Sequence, residues 1–147
     1  MVFVNKKVIL LVEDNRAEEE LMTRALEKSG VPHVLVVARD GAEALNYLLG
    51  SEPAGLPDLV LMDINLPKLS GLEVLERLRA DARNQKPPVV MLSASTTRED
   101  VAAAYRLGCN SYISKGIDFS QFLEMAQLLA RYWLVLNVTS REECKVP

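Results

Sequence analysis

Two cysteines, one histidine and one tryptophan are all that the 147-residue chain holds of those types. Cys109 and Cys144 lie far apart and outside any metal-binding or redox spacing, so neither a zinc site nor a disulfide framework is expected. The lone His33 follows Pro32 at a strand start, which predicts a structural role and no internal histidine-to-aspartate relay. No apolar run approaches the roughly 20 residues that span a bilayer, so no membrane segment is expected. The first residues, Met1 to Lys7, lack the charged-then-apolar order of a secretion signal, which predicts a cytoplasmic protein. A net charge of -3, with both signs interspersed, gives no case for nucleic acid.

Apolar residues make up 49% of the chain, enough for an ordered core. They fall into short continuous runs separated by helix-forming stretches. Leu59 to Met62 is four apolar residues in a row and reads as a strand buried on both faces of a parallel sheet, ending in Asp63. Lys7 to Val12 ends in Glu13-Asp14, Val34 to Ala38 forms another run, Val89 to Leu92 ends in Ser93, and Tyr112-Ile113 ends at Lys115. Between them, Asn15 with Glu18, Asp40 with Glu43 and Ser70 with Glu73 stand in capping-box spacing, and Thr97 opens a fourth helix that closes at Gly108. Phe119 to about Val138 reads as one long helix, followed by a polar, mobile tail over residues 139–147. Strand and helix alternate five times. That predicts one α/β domain over residues 1–138, a doubly wound, flavodoxin-like (βα)5 parallel sheet of order 2-1-3-4-5 with an extended C-terminal helix.

Ligands of open parallel sheets bind beyond the carboxyl ends of the strands. Glu13, Asp14 and Asp63 are predicted to meet there, and three unscreened carboxylates repel one another. A hard cation resolves the conflict: Mg²⁺ takes oxygen ligands, and the backbone carbonyl of Asn65 offers a neutral one. Ser93 and Lys115 flank the same crevice, a hydroxyl and an ammonium suited to an anion growing on a carboxylate. An Asp carboxylate is a competent nucleophile toward phosphorus. Phosphoryl transfer asks for little beyond positioning and charge neutralisation.

These motifs, in this order across roughly residues 6 to 136, resemble the response-regulator receiver domain of bacterial two-component signalling. The resemblance implies Asp63 as phosphoacceptor, Glu13 and Asp14 as the acidic pair, Ser93 and Lys115 as its partners, and Tyr112 as a switch aromatic. It implies a sensor histidine kinase as donor, Mg²⁺ as cofactor, and a repacking of the last two helices once the phosphoryl group draws in Ser93 and Lys115. Receivers usually carry proline after the lysine, where this chain has Gly116.

No output module is expected, so the signal should leave through a surface. In the last helix Phe119, Phe122, Ala126, Leu129, Trp133 and Leu136 form a stripe to dock on the sheet, and Met125, Leu128, Tyr132 and Val135 a second stripe. A core-facing helix needs an apolar arc of about 100°. The excess predicts a homodimer interface. The long terminal helix and its Tyr-Trp-Leu end also resemble the small regulators paired with cyanobacterial phytochromes. Rival readings are an aspartyl-nucleophile phosphohydrolase of haloacid-dehalogenase type, which would want an acid where Asn65 stands, an FMN-binding flavodoxin, which would want a Ser/Thr-rich loop after the first strand, and a non-phosphorylated interaction module.

Overall fold

A computed structural model describes residues 6–50, 56–81, 87–115 and 118–138. Five strands alternate with five helices: β1 Lys7–Val12, α1 Arg16–Lys28, β2 His33–Ala38, α2 Gly41–Gly50, β3 Leu59–Met62, α3 Gly71–Ala80, β4 Val89–Ser93, α4 Arg98–Leu107, β5 Ser111–Ser114 and α5 Phe119–Arg131. The strands are parallel, in the order β2-β1-β3-β4-β5. This is the flavodoxin-like arrangement expected from the alternation.

Strand side chains alternate between two cores. Ile9, Leu11, Leu59, Leu61, Val90 and Leu92 face α1 and α5. Leu10, Val12, Val60, Met62, Val89 and Met91 face the layer of α2, α3 and α4. Burial on both faces is why these runs are continuously apolar rather than alternating. The chain is least able to tolerate polar substitution in β3, whose four residues are all 0% exposed.

The helices start where their caps place them. Asn15, Ser70 and Thr97 each accept a hydrogen bond from the backbone N–H three residues on, and Asp40 does the same for Glu43 at 2.7 Å. The reciprocal half of the box is absent at Asn15, because the Glu18 carboxylate is engaged elsewhere. A complete capping box occurs instead at Asp118 and Gln121, at the head of α5.

The C-terminal helix departs from expectation. After Arg131 it widens into a π-helical turn, Tyr132–Leu136, and stops short of Val138. Phe122, Ala126 and Leu129 are buried as expected, and Ala130 and Leu134 are buried with them. Phe119 and Leu136, expected on the docking stripe, are 58% and 70% exposed. No described helix is long and apolar enough to cross a membrane. The expected tail from Thr139 and the Gly116 departure lie outside the described residues.

Candidate functional site

Register carries the acids together. Val12 pairs with Met62 across β1 and β3, so Glu13 and Asp63, the next residue of each strand, leave the sheet side by side. The Asp63 N–H donates to Val12 O at 3.1 Å and the Glu13 N–H to Ala38 O at 3.0 Å, extending both ladders past the strand ends. Carboxylate oxygens of Glu13, Asp14 and Asp63 lie within 4.8 Å of one another. On the other flank Ser93 pairs with Ser114, and the Lys115 N–H donates to Ser93 O at 2.9 Å. Lys115 is thus delivered to the acids by β5.

The Lys115 ammonium ties the site together, donating to Glu13 Oε1 at 2.6 Å, Glu18 Oε2 at 2.7 Å and Asp63 Oδ2 at 3.1 Å. Asp63 Oδ1 accepts from the Asn65 N–H at 3.2 Å, and Glu13 Oε2 from the Asn15 N–H at 3.3 Å. Burial pushes Glu13 up to about 7, against the hydrogen bond and charge of Lys115, which pull it down. Burial opposes the Lys115 charge, yet its bonds to Glu13 and Glu18 and the nearby Asp63 prevail and raise its pKa. Burial also works against the Glu18 charge, but the bond from Lys115, the interaction with the Glu13 carboxyl and the Lys115 charge together outweigh it and lower the Glu18 pKa. The three-acid donor set, all oxygen and anionic, fits a divalent cation.

The β3–α3 connection that carries Asp63 is held by close backbone approach. The Gly71 N–H donates to Ile64 O at 2.8 Å, and a Cβ at Gly71 would stand 2.1 Å from the Asp63 carbonyl oxygen. The Asn65 residue expected to offer a carbonyl is exposed at this turn.

Ser93 is fully buried at the end of β4, and its hydroxyl oxygen accepts from the Ser95 N–H at 3.1 Å. Among the described residues no hydrogen bond joins it to Asp63. Tyr112 packs against the α2–α4 core and donates its hydroxyl to Ser95 O at 2.7 Å. Ser95 Oγ in turn donates to Asp100 Oδ2 in the first turn of α4. One loop residue therefore holds Ser93, Tyr112 and α4.

Of the expected site residues, Glu13, Asp14, Asp63 and Lys115 converge, and Ser93 and Tyr112 are each hydrogen-bonded to Ser95. Glu18 and Ser95 were missed. Glu18 was read only as a cap partner, although a position one turn into α1, after the Glu13-Asp14 pair, is the signal that could have placed it at the rim.

The receiver-domain reading now has independent support. The family model described as "Response regulator receiver domain" matches residues 9–127. Response regulator Rcp1 of Synechocystis sp. is 37% identical over 131 residues, covering 87% of this chain and 89% of Rcp1. The crystal structure of the phosphorylated cyanobacterial phytochrome response regulator RcpA superposes with a TM-score of 0.85 at 40% identity, over 92% of this chain and 99% of that one. The Mn(2+)-bound form of Rcp1 follows, with a TM-score of 0.81 at 35% identity over 90% and 98%. Family model, relatives and superposed structures agree with the geometry, and the chain belongs to the response regulator receiver family.

Proposed function

We propose that Asp63 is the phosphoacceptor of this receiver. One Asp63 carboxylate oxygen attacks the phosphorus of a phosphohistidine on a sensor histidine kinase. An O–P bond forms, the P–N bond breaks, and the imidazole nitrogen leaves with its electron pair. The observation that carries this reading is the setting of Asp63: one oxygen is held by the Asn65 N–H and the other by Lys115, inside a trio of acids. Mg²⁺ is the proposed cation, held by Glu13, Asp14 and Asp63 with the Asn65 carbonyl, and when bound it neutralises the acids and the incoming phosphoryl oxygens. Ser93 then leaves Ser95 for the phosphoryl group, which loosens the loop that holds Tyr112. Lys115 balances the added charge. Similarity to a phytochrome response regulator supports a phytochrome-type kinase as the donor.

Incubation with acetyl phosphate and Mg²⁺, followed by intact mass, tests the assignment. The expected result is one hydroxylamine-labile phosphoryl group, absent in Asp63→Asn and absent with EDTA. Uptake by Asp63→Asn overturns the assignment, and sustained multiple turnover favours the phosphohydrolase.

The output surface is proposed to be α5 and its π turn, with a second copy of the chain as occupant. Leu128, Tyr132 and Val135 are 61%, 51% and 62% exposed, and Met125 lies half-buried beside them. Together with Ile113 of the edge strand β5, Met125, Leu128 and Tyr132 line a groove of about 440 Å³. A single apolar stripe on one helix can pair with itself across a two-fold axis, which favours an isologous dimer. The whole of residues 1–138 is proposed to act as one such receiver unit.

A further inference from the structure

We propose that Glu18 is a positioning residue for the phosphorylation reaction, a placeholder that holds the Lys115 ammonium until a phosphoryl oxygen displaces it. The inference rests on the assignment of Asp63 as phosphoacceptor. An ammonium has three N–H donors. All three are spent, on Glu13, Glu18 and Asp63. For Lys115 to bond an oxygen of a phosphoryl group growing on Asp63, one present partner must let go.

The three partners differ in what release would cost. The Glu13 side chain is only 5% exposed and its other oxygen is fixed by the Asn15 N–H, so water cannot take the place of Lys115 there. Asp63 carries the new group itself. Glu18 stands outside the acid trio, in the first turn of α1, with a side chain 45% exposed that water can solvate at once. Glu18 is the partner that leaves.

Its grip is nonetheless stronger than that of an open surface pair. Glu13, Glu18 and Lys115 form the polar end of a cavity of about 190 Å³ between α1 and α5, whose other walls include Leu21, Met22, Phe119 and Phe122. Apolar walls strengthen the attraction between charges. Glu18 thus keeps Lys115 extended toward Asp63 before phosphorylation and competes with the phosphoryl group for it afterwards.

The test is beryllofluoride binding at saturating Mg²⁺, measured by calorimetry on the full chain as wild type, Glu18→Gln and Glu18→Ala. Loss of the competitor should tighten binding about three- to tenfold in both variants, the range for a charge-assisted, partly exposed bond. Half-saturation of phosphorylation by acetyl phosphate should fall with it. A role confined to the helix start would lower the melting temperature and leave beryllofluoride affinity unchanged or weaker, and that result overturns the proposal. Asp63→Asn, run alongside, separates the two readings: if it binds beryllofluoride like wild type, the phosphoacceptor assignment fails, whereas wild-type affinity in the Glu18 variants with a silent Asp63→Asn removes only the placeholder.

Discussion

At the scale of single residues, the hydroxyl of Tyr112 gives the cleanest energetic test. Its hydrogen bond to Ser95 O bridges β5 to the loop after β4 and sits in a partly buried setting. Tyr112→Phe removes one donor and leaves that carbonyl short of a partner, which should lower unfolding free energy by about 0.5–1.5 kcal/mol. A urea titration will read this as a lower midpoint with an unchanged slope. Cys109 offers a second test. Burial pushes its thiol up and outweighs the Arg79 charge, which pulls it down. Because the folded thiol resists ionising, it makes no pH-dependent contribution below its ordinary pKa, and stability should decline as pH climbs beyond it. In a Cys144→Ser background, Ellman's reagent at pH 8 should label the native protein at least about tenfold more slowly than the urea-unfolded chain.

At the scale of elements, the strands were legible almost to the residue, because the apolar runs of β1, β3 and β4 are buried on both faces and so are continuous in sequence. The acids at their ends followed from the same logic, since register alone sets Glu13 beside Asp63. What sequence could not supply was long-range choice. The side chain of Glu18 had a local partner in the cap and a distant one 97 residues away, and the buried ammonium won. The π turn left no trace either, because Tyr132 to Leu136 is apolar on every side and suits either helical period. Gly71 tests how tightly an element end aims the site. Gly71→Ala must push the Asp63 carbonyl aside, at a cost of about 2 kcal/mol or more, and should cut phosphoryl uptake as well as the melting temperature. Gly50→Ala, which meets nothing within 4 Å, serves as the matched control and should do neither.

At the scale of the whole molecule, the chemistry gathers at the carboxyl edge of the sheet, while the unpartnered apolar stripe runs along α5 and its π turn. If that stripe pairs two copies, light scattering should give twice the 16.3 kDa chain mass, and Leu128→Glu with Val135→Glu should return it to one while leaving acetyl phosphate labelling of Asp63 intact. A wild-type monomer at about 100 times the concentration of a micromolar dissociation constant, with and without beryllofluoride, would discard the dimer. The proposed route for news of Asp63 over such a distance is Ser95, whose amide, carbonyl and hydroxyl each end on a different element. A residue moored at three points does not drift in one direction alone: whatever frees its amide tugs β5 and the head of α4 in the same motion, so the protein's two outward faces should report together or stay silent together.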